Sequence, residues 1–112
     1  MLDEDTYNRF AESPVMKTLS LINSKWKVII MWSLLDGKKR FGELRRQLGV
    51  SQKVLTQQLR EMEADGLVNR IAYSEIPPRV EYELTELGLS LRPVGKALWD
   101  WGVYYMSLRK GD

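Results

Sequence analysis

The sequence contains no cysteine and no histidine among its 112 residues. The first absence excludes a disulfide framework, thiolate metal ligands, a cysteine nucleophile and thiol-based redox sensing within this sequence. The second removes the usual general base and the commonest transition-metal ligand. No glycine-rich phosphate cradle and no clustered carboxylate pair stands in their place, so neither an enzyme nor a cofactor or metal site is expected. Long apolar runs are missing as well. The most apolar stretch, Val28 to Leu35, is too short to span a bilayer. No charged-then-apolar leader opens the sequence, and the expectation is a cytoplasmic protein with no membrane partner.

What is present is an uneven charge distribution beneath a net charge of only +2. From Lys38 to Arg60, the cations Lys38, Lys39, Arg40, Arg45, Arg46, Lys53 and Arg60 face Glu43 alone, a net of +6. From Glu61 to Glu86 the net is −5, with only Arg70 and Arg79 positive. A basic block of this kind is the footprint of a polyanion-binding face, although a solvated surface has the same composition.

The polar, acidic residues 1–12 read as an arm or a short helix, and residues 13–112 as one domain. Ser13-Pro14 opens a helix, serine as N-cap and proline in the first turn, followed by Val15, Leu19 and Ile22 at helical spacing. A second helix, about 25–35, carries Trp26, Ile29, Ile30, Trp32 and Leu34 around most of its circumference and is expected in the middle of the fold. Lys38 to Phe41 is a short extended link, Glu43 to Leu48 a short helix, and Gly49-Val50 a tight turn. Ser51 caps a helix over about 52–65 that Gly66 terminates.

Two strands, Leu67 to Tyr73 and Val80 to Leu84, flank a loop at Ser74 to Arg79 and form a wing over about 67–84. Thr85 then caps a last helix over about 86–108, with a kink or brief break expected at Pro93. The order predicts an α+β, mostly helical winged helix-turn-helix: a three-helix core, a two-stranded wing and flanking terminal helices.

The helix at 52–65 divides its faces by chemistry. Leu55, Leu59 and Met62 share one face and point to the core. Lys53, Thr56, Gln57 and Arg60 share the opposite face, with Gln52 at the helix start. These side chains are the types that bond base edges, glutamine with adenine and arginine or lysine with guanine. They are therefore the candidates for base readout in double-stranded DNA. Lys38, Lys39, Arg40, Arg45, Arg46 and Ser51 are candidates for phosphate contact, because the first helix of such a motif crosses the backbone. Arg79, beside Pro77-Pro78, either enters a minor groove from the wing or pairs with Glu75 or Glu81.

Three segments together resemble the HxlR-type (DUF24) regulators, within the MarR-like winged-helix group. They are Lys38-Lys39-Arg40-Phe41-Gly42-Glu43-Leu44-Arg45-Arg46, the helix from Ser51 to Glu63, and the wing from Pro77 to Thr85. Lys25-Trp26-Lys27 and Trp101-Gly102 also fit, and the resemblance spans about 13–101. It implies a bacterial dimer that regulates transcription from an inverted-repeat operator. Many members carry a redox-sensing cysteine just before the Pro-Val pair of the first helix, where this sequence has Ser13. The turn Leu48-Gly49-Val50-Ser51 is one residue shorter than the commoner form.

Leu87, Leu91, Val94, Leu98, Trp101, Tyr105 and Leu108 recur at alternating spacings of four and three, a heptad seam. Gly95, Trp99, Gly102 and Met106 form a second line beside it. The expectation is that the seam packs on the chain's own core, already filled by Trp26, Trp32 and the first helix, and the adjoining stripe on a second copy. Leu91, Val94, Leu98, Trp99, Trp101 and Tyr105 are the candidate dimerisation residues. The competing reading is a winged-helix module that binds protein or RNA, which the core and seam positions of the aromatic residues do not favour. A small-molecule effector is left open and unidentified.

Overall fold

The computed structural model describes residues 3–109, so the first two residues of the expected arm and the last three of the expected domain lie outside the described residues. Acidic Glu4 and Asp5 in its first turn suit α1 (Glu4–Ala11), which realises the arm as a short helix. The N-cap expected at Ser13 is present: its hydroxyl oxygen accepts the Met16 N–H at 3.2 Å and opens α2 (Pro14–Leu21). Ser24 caps α3 (Lys25–Leu34) in the same way through the Lys27 N–H. Strand β1 (Lys39–Arg40) leads into α4 (Phe41–Leu48), where Glu43 accepts the Arg40 backbone N–H at 3.1 Å. Gly49, at φ 63°, makes the sharp turn a residue with a Cβ would resist, and Ser51 caps α5 (Gln52–Ala64).

The sheet order is β1-β3-β2, all antiparallel, with β2 at Val68–Tyr73 and β3 at Arg79–Leu84. This is the expected wing plus one short strand. Arg79 is not in the loop, as the sequence suggested, but pairs with Tyr73 as the first residue of β3. The last helix divides into α6 (Glu86–Leu89) and α7 (Arg92–Ser107). The expected break falls just ahead of Pro93, which sits in the first turn of α7, where its missing N–H costs no intrahelical bond.

The core lies among α3, α4, α5 and the sheet: Ile30, Leu34, Leu44, Leu55, Leu59, Met62, Leu67, Val68 and Tyr82. Leu55, Leu59 and Met62 are on the face assigned to them. The first capped helix does not help fill this core. No residue of α2 is buried, and Trp26 and Trp32 are only half-buried. Within α7 both lines turn inward only at their start, and Trp99 and Met106 are exposed like the seam beyond Val94. Gly95 is the buried position, lying against Met31 and Trp32, and the Trp99 ring lies 5.9 Å from that of Trp32. Leu91 packs on the core and Val94 is half-buried, but the seam from Leu98 onward is exposed. Among the described residues no helix is long and apolar enough to cross a membrane.

Candidate nucleic-acid interface

Capping and core packing of α5 decide which side chains face outward. The Ser51 oxygen accepts the Val54 N–H at 3.2 Å, which leaves its hydroxyl proton free to donate. With Leu55 and Leu59 anchored below, Gln52, Lys53, Gln57 and Arg60 are exposed and Thr56 is half-buried. All five expected readers, joined by Glu61, line one shallow concavity. A larger open groove lies on the other side of the same ridge, between α5 and the wing. Thr56 and Arg60 line it too, with Arg40, Arg70, Arg79 and the loop at 75–78. Arg70, on β2, was missed because it lies in the acidic half of the sequence; β-strand pairing carries it back to the basic face.

The cations of this face fall into two sets. Among the described residues, Arg40, Arg45, Arg46, Lys53, Arg60 and Arg70 pair with no carboxylate. Three expected contacts are engaged within the chain. Lys39 meets Asp36 at 2.6 Å, and that ammonium holds the Asp36 carboxyl below its usual range. Lys38 lies 3.3 Å from the Tyr73 hydroxyl and 4.0 Å from Glu81. Arg79 bridges to Glu75 at 3.1 Å and stacks its guanidinium 3.8 Å from the Tyr73 ring centre. Of the two roles open to Arg79, the observed one is the ion pair with Glu75. The wing tip carries a fully exposed Ile76 instead.

Beneath the ridge of α5 lies Lys27, which the sequence placed only within the Lys25-Trp26-Lys27 segment, with no role assigned. Lys27 is only 3% exposed, and its ammonium donates to Glu61 at 2.6 Å and to Asn23 at 3.0 Å. Its position was legible: Lys27, Ile30, Met31 and Leu34 fall at i, i+3, i+4 and i+7, the buried stripe of α3. Hydrogen bonds from Lys27, then Gln57, hold the Glu61 carboxyl below its ordinary value of 4.5. A lowered carboxylate pKa stabilises the fold above the unfolded value, and that contribution is lost as pH falls through the folded one. The melting-temperature advantage over Glu61→Gln should therefore be flat above about pH 5 and shrink below it. An advantage unchanged down to about pH 3 would contradict the assignment.

Comparison with known proteins bears on the same features. A family profile described as HxlR-like helix-turn-helix matches residues 21–110. The chain is 46% identical over 112 residues to the HTH-type transcriptional regulator YtcD of Bacillus subtilis (strain 168), across 99% of this chain and 86% of that protein. The crystal structure described as an HTH-type transcriptional regulator ytcD matches with a TM-score of 0.80 at 50% identity, covering 85% of this chain and 98% of that one. The redox regulator HypR in its reduced form matches with a TM-score of 0.81 at 46% identity, covering 89% of this chain and 100% of that one. A capped outward helix, an antiparallel wing and a match over most of its length identify this chain as a winged-helix transcription regulator belonging to the HxlR-like helix-turn-helix family.

Proposed function

We propose that the chain acts as a homodimer that binds an inverted-repeat operator in double-stranded DNA sequence-specifically, with α5 in the major groove. The observation that carries this reading is the acid-poor ridge of Gln52, Lys53, Thr56, Gln57 and Arg60, with Arg40, Arg45, Arg46 and Arg70 making no ion pair among the described residues. The ridge offers donors and acceptors for base edges, and the flanking arginines offer charge for phosphates. Lys38, Lys39 and Ser51 join the phosphate set. Arg79 reaches a minor groove only after exchanging Glu75 for DNA. Thiol oxidation has no part in this reading, because the sequence holds no cysteine and the Ser13 oxygen serves as an N-cap.

The dimer is supported by unpartnered apolar surface. The radius of gyration is 17.1 Å, against about 13 Å for a compact domain of this size. Much of the excess surface is aromatic: Trp99, Trp101, Tyr104 and Tyr105 are exposed in the single chain, although Trp101 and Tyr105 were expected to pack on its own core. Phe10, Val15, Met16 and Leu19 are exposed on α1 and α2 as well. A two-fold pairing would set two recognition helices about 34 Å apart, one turn of DNA.

Selection of binding sites from a random duplex pool should enrich an inverted repeat. Arg60→Ala should cost about 1–3 kcal/mol on the selected site and relax its specificity. Arg45→Ala should weaken binding to every duplex and flatten the salt dependence by about one unit of slope. Equal losses on selected and random DNA for both variants would argue against base readout.

A further inference from the structure

The buried ion pair beneath α5 reaches the reading face through one carboxylate. Glu61 Oε1 takes the Lys27 ammonium, and Glu61 Oε2 accepts from Gln57 Nε2 at 3.3 Å. Gln57 lies one helical turn before Glu61, on the outward ridge. A carboxylate only accepts hydrogen bonds, so the Gln57 amide must turn its nitrogen toward Glu61 and its oxygen away. The clasp has a second point: the Ser24 hydroxyl donates to Gln58 Oε1, so the start of α3 grips α5 at two neighbouring positions.

Resting on the DNA-reading function proposed above, we propose that Glu61, anchored by buried Lys27, is a positioning residue that fixes the Gln57 amide in the orientation that reads adenine. One amide proton goes to Glu61. With the proton trans to the oxygen given to Glu61, the proton on the oxygen's own side stays free, and so does the oxygen itself. That pair matches adenine, whose N6–H donates to the amide oxygen and whose N7 accepts the amide proton. Turning the amide over would set its oxygen against a carboxylate and reverse the pattern offered to the groove. Lys27 anchors that carboxylate from below, so the acid stays at the edge of the reading surface without an unpaired charge facing the phosphates.

The test is site selection from a randomised duplex pool, with wild type, Glu61→Gln and the double variant Lys27→Met/Glu61→Gln, each with and without Gln57→Ala. The double variant removes the buried cation together with its acid, which guards against misfolding caused by an uncompensated lysine. Wild type should prefer adenine at one position per half-site, and Gln57→Ala should abolish that preference. Glu61→Gln and the double variant should lower it by about tenfold, the scale of one bidentate pair. Other positions should not change, affinity for the random pool should hold in the double variant, which keeps the net charge, and neither variant should alter selection further in the Gln57→Ala background. An adenine preference that survives both variants overturns the proposal, as does a loss spread over all positions or one that persists without Gln57. Wild type that selects no sequence overturns the DNA-reading function itself, a separate and recognisable result.

Discussion

Gly88→Ala should be the most damaging alanine substitution among the described glycines, costing about 3 kcal/mol or more. Thr85 caps α6 by accepting the Gly88 N–H at 3.0 Å, and its hydroxyl donates to the Gly66 carbonyl at 2.6 Å. The Thr85 N–H donates to the Leu67 carbonyl at 3.0 Å. These bonds draw the first turn of α6 onto the chain leaving α5, close enough that a Cβ on Gly88 would overlap the Leu67 carbonyl oxygen. It would also lie 3.1 Å from Leu84 Cδ2. The obstructing atom is backbone already committed to a hydrogen bond, so it cannot give way cheaply. Gly95→Ala should cost less, because the atom it meets is the flexible end of Met31. Gly102 faces open space in the single chain. Domain stabilities are about 5–15 kcal/mol, so the Gly88 variant should melt on the order of 10 °C lower. A melting temperature within two or so degrees of wild type, by circular dichroism, would show that α6 can move away and that the contact is loose.

The parts of the fold legible in the sequence are those whose causes are local. Ser13, Ser51 and Thr85 announce helix starts because the capping bond spans only three residues. Gly66, at φ 78°, marks the end of α5 for the same reason. The outward ridge of α5 was legible because one helix carries it: once Leu55 and Leu59 bury, Lys53, Gln57 and Arg60 must face out. Other features depend on which of several available contacts the folded chain makes. Arg79 stands next to two prolines, yet its fate is set by Tyr73 across the hairpin and by Glu75. Lys27 shares the buried stripe of α3, but it reads as a solvated charge until Glu61, 34 residues away, comes into range. The two lines of α7 could not be told apart by spacing alone. The absence of a side chain at Gly95 lets Met31 and Trp32 approach there, and beyond that contact both lines are exposed.

The exposed part of α7 carries the second large expected effect. Leu98→Asp/Trp101→Asp should convert the proposed dimer into a monomer and lower affinity for the proposed inverted repeat by on the order of 100-fold or more. Both residues are at least half exposed in the single chain, at 50% and 63%, so the substitutions remove little packing within it. A carboxylate on each would instead be buried unpaired in a paired state, at a cost that an apolar interface cannot offset. The affinity loss follows from geometry. Two linked reading helices convert the second half-site contact into an intramolecular event, and a lone copy forfeits that advantage without losing any contact at its own half-site. Binding to a single half-site should therefore change little, while binding to the full repeat falls toward it. Sedimentation velocity across a range of concentrations separates the outcomes. A variant that still sediments as a dimer would exclude this stretch of α7 from the interface, leaving the exposed apolar residues of α1 and α2 as the surface to probe. Monomers that keep full affinity for the repeat would mean that each copy reads DNA alone, and the two-fold operator would lose its physical basis.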